Sequence, residues 1–495
     1  MSFRRYYGTV VTMLKAFDGY PFIIGGTENS AQDTGGLGVR EWERLKPQTG
    51  SPVVVCTTGS SCNLPMGTSP TYPALPAPMW LTDAPLTDPG DPTEFEYYPR
   101  IHQLANSTGD FFIAGDTHPG LVNTGGGTSN DVGEMWFLRP PLTGSYAGDL
   151  VSASTVHSSF IDTDVPGGTA MNRYYGSSVL LHQLPENGGP NRVLAFGGAD
   201  GCIKIPADPT YCNGTVTVRS SVKELNYIPG ALPGGASTLV TKADMKCARV
   251  FSNAVILPTG EIFISRGSDT NPHSTSSPAD DYVPQAWGEI YDPGPTKLSG
   301  SGSTQWTAAV PNEFSNFAST CKPNWTIDPL LNKRPPRVYH HVALLLQSGR
   351  VLVAGGDEVC GLNGSSSYSL EIYEPPYFSK GFTTELTSAP ATGVFRGTIQ
   401  VGFKLTPVNP LIVEIDRVVF IRTGSVTHHQ DYSQVYVEAG FSVWSETFMG
   451  QTKVGILQVT VPGPSLMPPG YYHLFVVGNN GQHRVPSASK LIKID

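Results

Sequence analysis

The sequence is poor in charge, poor in histidine and empty of long apolar runs. Only 15% of residues are charged and the formal net charge is −9. No basic cluster offsets it, which argues against nucleic acid or an anionic membrane as the main partner. No apolar run approaches the roughly 20 residues of a membrane-spanning helix. The N-terminus, MSFRRYYGTVVTML, has two arginines but no apolar segment before the polar FDGYP stretch. It reads as a first strand and not as a signal peptide. What the chain has in abundance is Gly (55) and Pro (43), the composition of many short strands joined by turns.

One pattern recurs along the chain. FDGYPFIIGG (Phe17 to Gly26), NSTGDFFIAGD (Asn106 to Asp116), NGGPNRVLAFGG (Asn187 to Gly198), LPTGEIFISRG (Leu257 to Gly267) and QSGRVLVAGG (Gln347 to Gly356) share it. Each is a turn, then four or five apolar residues, then a glycine stop. Several are followed by a shorter strand with Trp or Tyr: EMWFL at Glu134, EIYDP at Glu289 and EIYEP at Glu371. This is the mark of a β-propeller of the kelch kind. Residues 1–385 would hold seven blades of about 55 residues each, two of them degenerate in sequence. After Ala389 the strands alternate without the double glycine, as in GTIQVGFKL and YYHLFVVG. Residues 386–495 therefore read as an immunoglobulin-like β-sandwich, and the whole chain as all-β.

Seven cysteines are informative by spacing. Cys56 with Cys62, Cys202 with Cys212, and Cys321 with Cys360 read as up to three disulfides, with Cys247 left over; the alternative is reduced, buried thiols. Disulfides and the N-x-S/T tripeptides at Asn106, Asn213, Asn324 and Asn363 fit a secreted, extracellular protein.

Eleven histidines are few for 495 residues, and two pairs stand out. His340-His341 follows Tyr339 in PPRVYHHVALLL, and His428-His429 lies in RTGSVTHHQDYSQ. Neighbours in a strand point to opposite faces, so one of each pair reaches a common site unless the backbone turns there. Tyr175, in NRYYGSSVLL, opens a strand ahead of a repeat hairpin as Tyr339 does. Equivalent positions on different blades converge on one end of the propeller axis. Two phenols and two imidazoles would suit tetragonal Cu(II) better than calcium or structural zinc. The plainer alternative is that tyrosine is a common strand residue and that paired histidines cap an edge.

RVYHHVALLLQSGRVLVAGGDEVCG resembles the last-blade motif of the galactose oxidase and glyoxal oxidase family, the copper radical oxidases. RYYGSSVLL resembles that family's tyrosine blade, RTGSVTHHQDYSQ its C-terminal loop, and PPGYYHLFVVGNNGQHRVPSASKLIKI its closing strands. The resemblance implies four copper ligands: Tyr175, the equatorial tyrosine that becomes a radical; Tyr339, the axial tyrosine that acts as base; and His340 and His428. His341 would pack outward. It also implies oxidation of a primary alcohol, aldehyde or carbohydrate substrate, with O2 reduced to H2O2. One copper per chain and a monomer are expected.

Two positions depart from that family. Its radical tyrosine is crosslinked to a cysteine, and Tyr98 stands at the matching position; its stacking tryptophan falls on Asp200. No cysteine lies between Cys62 and Cys202. A substitute crosslink from Cys202 to Tyr175 competes with a plain Cys202–Cys212 disulfide. Without crosslink and stacking, a tyrosyl radical is harder to form. The alternatives at this point are an oxidase with an uncrosslinked tyrosine, a metal-binding protein without radical chemistry, and a non-catalytic extracellular binding or structural propeller.

Overall fold

A computed structural model describes residues 9–14, 21–24, 43–45, 80–82, 99–105, 109–115, 135–139, 149–152, 173, 175–182, 191–200, 217–230, 233, 235–269, 288–293, 306–309, 337–356, 369–406 and 413–495. Among them are strands and one short 3-10 turn of helix, Pro376–Ser379. Each of the five repeat motifs supplies the second strand of its own antiparallel meander. The first sheet is Thr9–Thr12, Pro21–Ile24, Glu43–Leu45 and Trp80–Thr82, and the second Ile101–Gln103, Phe111–Ile113, Trp136–Arg139 and Asp149–Ser152. The third is built from Ser177–His182, Asn191–Phe196, Val222–Tyr227 and Thr238–Lys242. The fourth holds Ala254–Ile256, Ile262–Ile264, Gly288–Tyr291 and Trp306–Ala309; the fifth holds Val342–Leu345, Val351–Ala354 and Leu370–Tyr373. The described residues thus give five sheets that carry a repeat motif, one per repeat, and the expectation of seven blades reaches beyond them.

The second strand of the third sheet is buried at every position. Period-two alternation explains why. Val179, Leu181, Leu194 and Phe196 pack on Ile256, Ile262 and Ile264 of the fourth sheet. Leu180, Val193 and Ala195 pack the other way, on Phe112, Ala114 and Phe137 of the second. Similar clusters join the first sheet to the second and the fourth to the fifth. Consecutive sheets are therefore face-to-face neighbours, each buried side chain contributing about 1.5–3 kcal/mol.

Four buried arginines repeat with the blades. Arg100, Arg173, Arg249 and Arg337 are all essentially sealed from solvent. Arg173 donates to Gly197 O and Ser221 O, both at 2.9 Å. Arg337 does the same with Gly355 O at 2.6 Å and Ser369 O at 3.2 Å. Arg249 bonds Arg266 O at 2.7 Å and pairs with Glu289 at 2.7 Å. Arg100 takes Ala114 O at 3.0 Å and, across the blade boundary, Arg173 O at 2.8 Å. Each guanidinium satisfies carbonyls at the glycine stop and so fixes the chain just before an innermost strand. The approach is close: a Cβ on Gly198, where φ is +93°, would lie 2.8 Å from Arg173 Cα.

The C-terminal part is two packed sheets. One runs Thr383–Ser388, Thr398–Thr406, Thr452–Thr460, Phe441–Met449. The other contains Tyr436–Ala439, Glu414–Arg422, Gly470–Asn479 and Lys490–Ile494. Val401, Phe403, Leu457, Phe420, Leu474 and Val476 fill the space between them. The second sheet continues into the propeller, because Tyr436 and Val437 pair in parallel with Leu181 and His182. That junction delivers the 426–431 hairpin to the inner ends of the blades.

Cys247 corrects the disulfide reading. It is disulfide-bonded, not left over. Its bond takes one of the other six cysteines, so the three pairs read from spacing cannot all form. Cys56, Cys62, Cys202, Cys212, Cys321 and Cys360 lie outside the described residues.

Candidate metal centre

The arginine repeat aims the site. Two residues after Arg173, Arg249 and Arg337 stand Tyr175, Phe251 and Tyr339. All three meet at the end of the blades, Tyr175 and Phe251 inside one small core cluster and Tyr339 packed against it. Tyr175 is 3% exposed and Tyr339 half-buried. Their rings stand edge to face at 6.2 Å between centroids.

The backbone pays locally for this convergence. Among the described residues six non-glycine residues have positive φ, and five are here: Tyr175, Phe251, His340, His428 and His429. Left-handed conformations at such residues cost about 1–3 kcal/mol each and cluster at functional sites. At His428-His429 the reason is explicit. Thr427 pairs with Gln430 across a two-residue hairpin, with φ of +46° and +72° at the two histidines between them. That turn needs positive φ at both central residues and normally takes Asn-Gly.

His340 and His428 meet. Their Nε2 atoms are 2.9 Å apart and their rings nearly perpendicular, at 88°. Tyr339 lies against both, at 3.9 Å and 5.7 Å between centroids. Thr427 Oγ1 is 2.6 Å from His428 Nδ1; with the Nδ1 proton donated there, Nε2 keeps its lone pair. Burial, helped by His340, pushes the His428 pKa down to about 4. The ring is therefore neutral at ordinary pH.

The donors fit a metal. Imidazole nitrogens ligate at about 2.0–2.1 Å, so two adjacent ligands at a right angle stand about 2.9 Å apart. The same approach without a cation requires a proton on one nitrogen aimed at the other. Two imidazoles with two phenols are a nitrogen/oxygen set suited to Cu(II). Among the described residues no group of three or more His, Cys, Asp and Glu is placed to hold a metal, and the oxygen donors that stand beside these two histidines are the tyrosines.

The second member of each histidine pair is buried. His341 does not pack outward as expected: it is fully buried. Its Nδ1 donates to Val338 O at 2.6 Å, and Nε2 accepts from Ser265 Oγ at 2.8 Å and Asn253 Nδ2 at 3.0 Å. That bond back to Val338 closes the turn which lets Tyr339 and His340 both reach inward. Burial pushes the His341 pKa down to about 4, against the opposing bond to Val338 O. His429 is also fully buried. Among the described residues neither of its nitrogens finds a hydrogen bond of good geometry. Burial, and then His341, His428 and His340, hold its pKa well below the usual value, a weak contact with the Phe251 backbone opposing them.

Tyr98 lies outside the described residues, and Asp200 belongs to a two-residue strand paired with Thr217–Val218. The aromatic cover of Tyr175 is Phe251, 4.5 Å away between centroids and tilted by 44°. Phe251 N also donates to Tyr175 O at 2.8 Å. Sequence reasoning missed Phe251; the signal that could have found it is the shared Arg-x-aromatic spacing.

Comparison with known proteins agrees with the motifs. Residues 384–494 match the galactose oxidase-like, Early set domain. Galactose oxidase of Gibberella zeae is 25% identical over 350 residues, 71% of this chain and 41% of the relative. Aldehyde oxidase GLOX1 of Arabidopsis thaliana is 26% identical over 311 residues, 59% of this chain and 44% of the relative. The chain thus matches less than half the length of these curated relatives. Among solved structures, a fungal alcohol oxidase of the AA5 family, in complex with copper, superimposes with a TM-score of 0.58 at 18% identity, covering 100% of this chain and 76% of the other. No helix among the described residues is long and apolar enough to cross a membrane. By these comparisons residues 384–494 carry a galactose oxidase-like, Early set domain, and the chain is similar to galactose oxidase and aldehyde oxidase GLOX1 in sequence and to a copper-containing alcohol oxidase in fold.

Proposed function

We propose that the protein binds one copper ion and oxidises a primary alcohol or aldehyde, passing the electrons to O2. The observation that carries this reading is the meeting of His340 and His428 from two separate sheets, Nε2 to Nε2 at 2.9 Å, with Tyr339 against both and Tyr175 behind. The relatives named galactose oxidase, aldehyde oxidase and alcohol oxidase support the same class of reaction. Residues 1–385 would be the propeller and 386–495 the sandwich. Residence in an oxidising, extracellular compartment accords with the disulfide at Cys247.

His340 and His428 would hold the metal through Nε2, and Tyr175 and Tyr339 through their phenol oxygens. Bound copper would supply a Lewis acid and a one-electron acceptor. The Tyr339 oxygen takes the substrate hydroxyl proton, as a general base. Tyr175, deep in the site and covered by Phe251, is the side chain kept from water and so the one suited to give and regain a single electron. In the balanced reaction an alcohol RCH2OH loses two electrons and two protons to become RCHO, and O2 takes both to become H2O2. Tyr339, His340 and His428 are half-buried, which leaves substrate a way in on their side.

A second reading is a copper-binding protein without oxidase activity. Tyr98 at the cysteine position favours it, because an uncrosslinked phenol is harder to oxidise. Peroxide release from copper-loaded protein on a panel of primary alcohols and aldehydes separates the two. Peroxide that disappears in Tyr175→Phe supports the oxidase; stoichiometric copper with no peroxide on any substrate supports the second reading.

A further inference from the structure

The hairpin that carries His428 and His429 is tied to the propeller by two buried glutamine side chains. Gln430 grips the strand Ser177–His182. Its Oε1 accepts from Ser178 N at 3.1 Å and Ser178 Oγ at 3.2 Å, and its Nε2 donates to Ser178 O at 3.0 Å. A primary amide used this way imitates the peptide unit of a neighbouring strand. Gln434 repeats the device one blade on: its Nε2 donates to Ala254 O at 3.0 Å, and its Oε1 accepts from Ile256 N. Ser178 stands three residues after Tyr175 and also holds His102, Oγ to Nε2 at 2.7 Å.

The two glutamines differ in what they restrain. Gln430 pairs with Thr427 and borders the strained turn directly. Gln434 sits at the base of the segment, next to the strand Tyr436–Ala439 that already pairs with the propeller. A turn with positive φ at both histidines relaxes unless something holds it, and the Gln430 amide is bonded on the tip side.

We infer that Gln430 is a positioning residue of the metal centre, fixing His428 against the strand that carries Tyr175. The inference rests on the metal reading of the site. Ligands on separate sheets keep a common focus only if their segments are locked in register, and three hydrogen bonds to one residue do that here. Residues that orient a metal ligand typically cost about 10–100-fold in affinity when removed.

The test compares wild type, Gln430→Leu and Gln434→Leu. Copper affinity is measured by competition with a chelator, and thermal stability and hydrogen exchange of residues 425–432 are followed without metal. Gln430→Leu is expected to weaken copper about 10–100-fold and speed exchange in that segment, while Gln434→Leu lowers the melting temperature as much but weakens copper less than about threefold. Unchanged affinity in Gln430→Leu, or equal losses in both variants, overturns the inference. If wild type takes up no copper, the metal reading itself fails. Exchange then decides alone: faster exchange confined to Gln430→Leu supports positioning of the turn, and unchanged exchange sinks it. Should Gln430→Leu not fold, Gln430→Asn, an amide one methylene short, takes its place with the same expectations on a smaller scale.

Discussion

The two histidine pairs reach the same place by different backbone devices. His340-His341 stands where a blade strand begins, and one positive φ, at His340, redirects the chain. His428-His429 is the tip of a hairpin with positive φ at both residues. In each pair the first ring is half-buried and faces the other pair's first ring, while the second is sealed inside. The sealed rings differ. His341 has both nitrogens bonded, whereas among the described residues His429 has neither in a good hydrogen bond. A dipeptide therefore does not state its roles; the turn beneath it and the partners around it do.

Substitution should separate the members of each pair. The largest effect expected is on copper: His340→Ala and His428→Ala each abolish stoichiometric uptake, while His341→Phe retains it, measured as bound copper per chain. Stability should rank the sealed rings. His341→Ala strips a partner from Val338 O, Ser265 Oγ and Asn253 Nδ2; the last two keep the Asn253 N–H and the residue-341 carbonyl, and a buried polar group left unpaired costs about 1–3 kcal/mol. His429→Ala removes a ring whose nitrogens make no good hydrogen bond among the described residues, so its urea midpoint should fall less. Equal losses would erase the contrast drawn above.

Acid sharpens the same comparison. The folded-state pKa values of His341 and His428 are both pushed down to about 4, below the unfolded value of about 6.5. Between those limits the unfolded chain binds protons that the fold refuses, so stability falls as pH drops from about 6.5 toward 4 and changes little above. For fully buried His341 the full effect is roughly 3 kcal/mol. His341→Phe should flatten the pH dependence of the urea midpoint in that window. The smallest effect expected is at the hairpin tip. Asn suits the first position of this turn better than His, so His428→Asn should raise the metal-free melting temperature slightly while losing copper.

Much of this was legible in the residues. Turn, apolar run and glycine stop marked five strands, and each became one sheet, because a strand packed on both faces must be apolar throughout. Tyr175, Tyr339, His340 and His428 were legible through motifs and do converge. His341 was misplaced because alternation along a strand was applied where the backbone turns. Cys247 was misread because spacing pairs near neighbours and says nothing of cysteines brought together from afar. Phe251 was marked only by the Arg-x-aromatic spacing, and Gln430 and Gln434 by nothing; they matter through what the fold sets beside them.

The most direct test of the central claim is metal content after copper loading, with an EPR spectrum of the same sample. The account predicts about one copper per chain with a tetragonal Cu(II) signal, absent in His340→Ala and in His428→Ala. A well-folded wild-type protein without stoichiometric copper would contradict it.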